Sequence, residues 1–372
     1  MDAKDKKIAT DLCYEIIKEV GRAIRPYVGK PESGEKVKMG ADGTPTSYID
    51  VIAEDQVINI LKNAPIRSYI ISEEIGELKV GYGKKESVVL TQELRRTDLT
   101  PEQKPKFIFL IDPIDGTSNA IKEIPAYGIS IAVANVPDGR LATLNDVELG
   151  FISNFGNGNF FEAEKGKGCW LNNEEVHPSD IVNISDMSLG GFTKSGTKAA
   201  SKLVDNARSM RVLGSVVLEL SYVASGRYDA FLDLRGSRII DIAASKLIVE
   251  EAGGIITNKY GEKLDNKLSI YERTIVVAAN NNILHKQIID ILNDNESDVI
   301  GEVGVVSRVD EYHAILFSVK IIDYLLNNGI DVVIERTLAR KLEKLKKDPN
   351  LKNIINTTIK AVSYTHLRAH ET

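Results

Sequence analysis

The run Asp112-Pro113-Ile114-Asp115-Gly116-Thr117 constrains this chain more than any other stretch, because it sets two carboxylates and a bared backbone directly behind an apolar segment, residues 107–111. That segment reads as a buried strand. A residue before proline is pushed away from helix, so the strand is expected to stop at Asp112, with both acids in the turn beyond it. Carboxylate and carbonyl oxygens are what Mg²⁺ prefers, and Mg²⁺ commonly binds through one or two carboxylates plus substrate phosphate. Gly116 lets the backbone approach a ligand closely. If a helix opens at Thr117, its free N–H groups receive phosphate. A lone aspartate here would merely cap a helix, whereas six residues in this order carry far more.

The other coarse properties exclude several classes. A chain of 372 residues exceeds the usual size of one domain. Its formal net charge of -6 disfavours nonspecific nucleic-acid binding. No apolar stretch approaches the ~20 residues a membrane-spanning helix needs. Cys13 and Cys169 are the only cysteines and have no nearby Cys or His, so they read as buried thiols rather than as a zinc site or a disulfide. Residues 1–7 are charged and lack the apolar core of a secretion signal, so a cytoplasmic protein without membrane or nucleic-acid partners is expected.

Along the chain, Ile8, Leu12, Ile16, Val20 and Ile24 predict an amphipathic helix stopped at Pro26, and residues 29–43 read as a mobile loop. A second helix begins at Thr46 or Ser47 and carries Asp50 and Glu54 one turn apart. Like charges at that spacing repel by a few tenths of a kcal/mol unless a cation relieves them. A strand over 68–72 delivers Glu73 and Glu74, so both acidic pairs can reach the same edge of one sheet. The polar segment 76–105, with Arg95-Arg96, reads as a flap over substrate or as disorder. Strands are predicted over 127–136, 147–154, 159–163, 188–192 and 210–213. A helix over 216–224, a strand over 228–234, and a helix from Asp241 to the Gly253-Gly254 stop complete this part.

Four blocks together resemble the inositol monophosphatase family, within the wider group of metal-dependent sugar phosphatases that includes fructose-1,6-bisphosphatase. They are Asp50 with Glu54, residues 71–74, the Asp112 to Thr117 run, and Asp241-Ile242-Ala243-Ala244 continuing to Gly254. The resemblance spans roughly the first three quarters of the chain and implies an α/β (α+β) fold layered α-β-α-β-α, assembled as a homodimer or higher homo-oligomer. It also implies an enzyme binding two or three Mg²⁺ and acting on a small phosphorylated metabolite. Glu73, Asp112 and the carbonyl of Ile114 would hold the first ion, and Asp112, Asp115 and Asp241 the second. Thr117, paired with Asp50, would orient and help deprotonate a water attacking phosphorus in line with the leaving alkoxide. Gly116, Thr117, Gly214, Ser215 and Asp233 would face substrate, and Arg235 and Arg238 a second phosphate. The family's usual tryptophan before the last metal aspartate is Ile240 here, and one extra residue separates Asp233 from Asp241.

Residues 1–292 form the phosphatase-like part, and the acidic, Asn-rich stretch 293–300 reads as a linker. Residues 301–361 follow with a strand over 303–307, a helix over 314–326, a strand over 331–335 and a basic helix from Thr337, a βαβ start. This resembles the opening of ATP-NAD kinases, which in some archaeal proteins follows an inositol-monophosphatase-like domain. The kinase Gly-Gly-Asp-Gly motif is absent, and residues 362–372 resemble a translated sequencing adapter. The resulting expectation is a phosphatase acting on the 2′-phosphate of NADP. Inositol 1-phosphate and fructose 1,6-bisphosphate are the alternative substrates, and an NAD kinase with a phosphatase-like regulatory module is the alternative of another class.

Overall fold

The computed structural model describes residues 1–41, 43–96, 98–100, 103–192, 198–293, 302–305, 307, 312–327, 331–334, 336–345 and 363–364. The chain divides into two compact units, Met1–Asp294 and Asn295–Thr372.

The first unit begins with α1 (Ala3–Ile24), whose Leu12, Ile16, Val20 and Ile24 are buried on one stripe. Residues 29–43 are not one loop. Strands β1 (Lys36–Met39) and β2 (Pro45–Ser47) pair as a hairpin leading into α2 (Tyr48–Asn63), which is N-capped by Ser47. Next come β3 (Ser68–Ser72), β4 (Gly76–Gly81), β5 (Lys84–Ser87), the short α3 (Leu90–Glu93) and β6 (Phe107–Asp115). The expected flap therefore begins as a sheet hairpin, β4–β5, followed by the short α3. Glu77-Leu78-Lys79-Val80 alternates half-exposed and buried side chains, and Lys84–Ser87 forms a fully exposed charged edge strand that discourages further pairing. After α4 (Thr117–Ile121) the chain adds β7 (Gly128–Asn135), β8 (Val147–Asn154), β9 (Phe160–Glu164), β10 (Gly168–Leu171) and β11 (Glu174–Glu175). These strands form a nine-stranded sheet in the order β11-β10-β9-β8-β7-β6-β3-β4-β5, in which only the β3–β6 pair is parallel.

A second sheet of five strands, β13-β12-β14-β16-β15, uses β12 (Ser188–Phe192), β13 (Ser209–Arg211), β14 (Ala230–Arg238), β15 (Ile255–Thr257) and β16 (Arg273–Ala279). The helices of this half are α5 (Lys198–Asn206), α6 (Val216–Ala224), α7 (Ile239–Glu251) and α8 (Asn282–Asn293). Strand parity builds the layers. Phe107, Phe109 and Ile111 pack with α1 and α2, whereas Ile108 and Leu110 join α6 and α7 in the central core. Phe231, Val276 and Ala278 close that core from the second sheet, while Leu232, Val277 and Ala279 face α5 and α8. The result is the α-β-α-β-α sandwich.

The second unit has a parallel sheet of β17 (Glu302–Val305), β18 (Asp331–Ile334) and β19 (Ser363–Tyr364). Helices α9 (Tyr312–Asn327) and α10 (Arg336–Leu345) pack Ile315, Val319, Leu338 and Leu342 with Val332 and Ile334. Strand, helix, parallel strand and helix follow one another as the sequence predicts. Residues 294–300 of the predicted linker, and all of 362–372 except Ser363 and Tyr364, lie outside the described residues.

One buried acid couples the layers to the site. Glu219 on α6 is fully buried, and its Oε1 accepts the N–H groups of Leu213 at 2.9 Å and Gly214 at 3.2 Å, fixing the turn before α6. Burial pushes its carboxyl from 4.5 up to about 7, more than the backbone donors pull it down. A raised folded-state pKa means that stability is lost as pH climbs from 4.5 through about 7. Glu219→Gln is therefore expected to be more stable than the parent at pH 8, by up to about 3 kcal/mol, with the gap shrinking toward pH 5 in denaturant unfolding.

Candidate functional site

The parallel pairing of β3 with β6 matches Ser72 with Ile111, so Glu73 and Asp112 leave the same sheet edge side by side. Contrary to the sequence expectation, β6 does not stop at Asp112. It runs to Asp115, and the register slips between Asp112, opposite Ser130, and Asp115, opposite Gly128. Proline has no N–H for a sheet ladder and is tolerated at such a bulge, so Pro113 is accommodated without ending the strand. Gly116 then adopts φ +83°, and an added Cβ would meet the carbonyl oxygen of Ala126 at 2.7 Å. Only glycine fits this turn into α4, which presents Thr117.

The Thr117 hydroxyl lies 2.8 Å from Asp50 Oδ1 and 3.0 Å from the Ile114 carbonyl, and donates its one proton to either. Asp50 also accepts the Ser47 N–H at 3.2 Å, completing the capping box of α2. Burial, with the Glu74 charge adding to it, lifts Asp50 to about 6 against the lowering effect of the Thr117 hydrogen bond. Glu54, its neighbour on α2, reaches about 7 chiefly through burial. The cation that meets Glu54 is Lys38 of the β1 hairpin, at 3.2 Å, with Ser72 Oγ at 2.8 Å on the other oxygen.

Asp112 is buried, and its pKa stands well above the usual carboxylate range, through desolvation and then the charges of Asp115, Glu73 and Asp241. Asp115 is lifted to about 6 by burial and Asp241. Its Oδ2 accepts the Ser215 hydroxyl and, at 3.1 Å, the Val217 N–H, so Asp115 also anchors the start of α6. Asp241 arrives in the first turn of α7. Among the described residues, no three Asp, Glu, His or Cys side chains are gathered into a ready metal cage. Arg238 bridges two of the acids instead: one guanidinium nitrogen contacts Glu73, and others lie 3.0 Å from both oxygens of Asp241. Burial opposes the charge on Arg238, but Asp241, Glu73 and Asp112 outweigh it and raise its pKa further.

The donor chemistry suits a hard divalent cation. It consists of carboxylate oxygens and the Ile114 carbonyl, and Asp241 Oδ1 is buried without a hydrogen bond of good geometry despite its proximity to Arg238. The acids are divided between the linings of two cavities. One, of about 470 Å³, is lined by Asp50, Glu73, Asp112, Ile114 and Thr117, and the other, of about 410 Å³, by Asp115, Asp241, Arg235 and Arg273. Thr44 lines both.

The remaining predicted residues divide. Gly214 lines the second cavity, whereas Ser215 is fully buried, donating to Asp115 and accepting from Leu218 N–H at 3.2 Å. Asp233 lines that cavity too, but its oxygens are occupied by Arg235 and Ser237. Several site residues carried no sequence signal. Asn119 donates to the carbonyls of Ala126 at 2.8 Å and Leu213 at 2.7 Å, tying α4 to the Gly214 turn. Lys36 comes from the hairpin region read as a loop, Thr44 from just beyond that loop's predicted end, and Arg273 from a strand left unassigned by the sequence reading.

Among the described residues, no helix is long and apolar enough to cross a membrane, and both cysteines are free and buried. Residues 5–297 match the model of the inositol monophosphatase family. A fructose-1,6-bisphosphatase/inositol-1-monophosphatase of Methanothermobacter thermautotrophicus is 45% identical over 296 residues, covering 78% of this chain and 99% of that protein. A bifunctional NADP phosphatase/NAD kinase of Methanococcus maripaludis is 31% identical over 348 residues, covering 90% of this chain, and the chain spans 58% of that relative's length. A crystal structure of an inositol monophosphatase-fructose 1,6-bisphosphatase superposes with a TM-score of 0.62 at 28% identity, covering 77% of this chain and 98% of the other. With the sandwich and the ordered acids already in place, the chain belongs to the inositol monophosphatase family.

Proposed function

We propose that this family member is a Mg²⁺-dependent phosphomonoesterase that hydrolyses the 2′-phosphate of NADP to give NAD and phosphate. The observation that carries the phosphatase chemistry is the meeting of Asp112, Asp115 and Asp241 beside the Thr117–Asp50 pair, from four separate elements. NADP is favoured by the likeness to the bifunctional relative, which covers 90% of this chain and so reaches into the second unit. A sugar phosphate is the second reading, supported by the 45% identity to a fructose-1,6-bisphosphatase/inositol-1-monophosphatase.

Glu73, Asp112, the Ile114 carbonyl, Asp115 and Asp241 would hold Mg²⁺, with Arg238 withdrawing from Glu73 and Asp241. When bound, the ions supply Lewis-acid polarisation of the phosphate and of the leaving oxygen. Thr117, donating to Asp50, keeps lone pairs with which to accept a hydrogen bond from the attacking water, and so aims it at phosphorus. As the water oxygen bonds to phosphorus, its proton moves toward Thr117 Oγ1 and the Thr117 proton toward Asp50. A carboxylate poised at about 6 is ionised at neutral pH yet basic enough to share that proton. The P–O bond to the ribose breaks on the opposite side, and the alkoxide takes a proton from solvent.

Phosphate release from NADP, inositol 1-phosphate and fructose 1,6-bisphosphate should require Mg²⁺ and stop with chelator. The fastest kcat/KM is expected with NADP, and absence of release from it rejects that substrate. Asp112→Asn is expected to remove turnover from all three. Thr117→Val should lower kcat by about 10²–10⁴-fold while Thr117→Ser retains most of it, because only the hydroxyl relays the proton. A pH profile should show the parent's rate falling as pH drops through about 6, where Asp50 takes up a proton.

A further inference from the structure

Asp115 stands between two glycine turns that one side chain joins. Gly116 follows it at φ +83°, and Gly214, at φ +88°, precedes the start of α6 that Asp115 anchors. Asn119 on α4 reaches both. Its Nδ2 donates at 2.8 Å to the Ala126 carbonyl, the same oxygen that a Cβ on Gly116 would strike, and at 2.7 Å to the Leu213 carbonyl, immediately before Gly214. Both amide protons are used, and no other side chain of this size offers two donors on one atom in this way. The Leu213–Gly214 turn is therefore gripped from two sides, its N–H groups by Glu219 Oε1 at 2.9 and 3.2 Å and its carbonyl by Asn119. Just beyond it, Ser215 Oγ and Val217 N donate to Asp115 Oδ2. A closed ring results. It runs from Asp115 along α4 to Asn119, crosses to Leu213, follows the chain to Ser215 and returns to Asp115, although 94 residues separate Asn119 from Leu213 in the sequence.

We infer that Asn119 is a positioning residue for the metal site: by locking the Gly116 and Gly214 turns to each other, it fixes the angle at which Asp115 presents its second oxygen, Oδ1, to Mg²⁺. The inference rests on the reading of Asp115 as a ligand of that ion. Asn119 lines neither of the two cavities among the acids, so its effect reaches the ion only through the ring. Mg²⁺ demands near-ideal octahedral geometry, and a carboxylate already held in place loses less freedom when the ion arrives. Partners that orient a ligand in this way are worth about 10–100-fold in metal affinity.

Titration calorimetry of the full chain with Mg²⁺ alone, after removal of metal with chelator, measures this without turnover. Asn119→Leu keeps the bulk of the side chain and removes both donors, and it should weaken Mg²⁺ binding about 10–100-fold. Asn119→Gln carries the same two donors on a longer arm and should recover part of that loss. Asn63→Leu, the same change at the exposed end of α2, should leave the affinity unaltered. Urea unfolding in chelator reads stability separately: a residue that only supported the fold would lower the unfolding midpoint and leave the Mg²⁺ affinity of the folded protein alone. Should Asn119→Leu fail to fold, Gly214→Ala decides, because its added Cβ would stand 3.1 Å from Asn119 Nδ2 and press on the same hydrogen bond from the other side. Parent-like Mg²⁺ affinity in the folded Leu variant or in Gly214→Ala, or equal losses for Leu and Gln, would overturn the positioning role. A parent that binds no Mg²⁺ fails the metal reading and the inference with it, whereas a parent that binds Mg²⁺ but releases no phosphate fails only the phosphatase reading.

Discussion

Carboxylates cannot share a dry sheet edge without positive charge among them, and that constraint organises this molecule. Asp112 is buried with Asp115, Glu73 and Asp241 close enough to lift its pKa well above the usual range. Arg238 is the chain's own answer, spanning Glu73 and Asp241. An arginine is a serviceable counter-ion because its delocalised charge is more weakly hydrated than an ammonium and its fork meets several oxygens at once. Yet it is one charge set among several acids. The repulsion left over is what a bound cation would relieve, and it links the chain's arrangement of acids to the chemistry proposed for it.

The rest of the fold serves to hold that unfavourable arrangement still. The parallel β3–β6 pair delivers Glu73 and Asp112 together, and the β6 bulge sets Asp115 one residue out of step. Asp115 in turn caps α6, and α7 brings Asp241 against the same edge. The acids are thus carried by the end of β3, by β6 and by α7, with Asp115 also tied to α6. Those elements share two large apolar cores, so separating the acids would require layers of the sandwich to part.

Much of this was legible in the amino-acid sequence. The repeat in α1, the isoleucine-rich β3 and the glycine stop after α7 are local signals, and the acidic blocks lie in recognisable order. What escaped has physical reasons. Glu77-Leu78-Lys79-Val80 alternates properly for a half-buried strand, but the surrounding charge made segment 76–105 look like a flap. Pro113 suggested a strand end, because the residue-by-residue rule does not foresee a bulge that absorbs the missing N–H. Lys38 meets Glu54 only because β1 and β2 pair, and Arg273 meets the site only across the β14–β16 ladder. Asp233 and Ser215 were read as facing substrate, although their oxygens are committed to neighbouring protein groups, which no spacing in the sequence reveals.

A bulge in β14 has a consequence for how such a site can diversify. Its distortion begins after Asp233 and is spent by Ser237, where the ladder with β16 resumes in register before α7 starts. Insertions or losses between those two points would reshape the lining of the second cavity while leaving Asp241 where it is. The distorted end of β14 and the acid at the start of α7 are therefore neighbours in the chain yet mechanically insulated, so one can drift without disturbing the other.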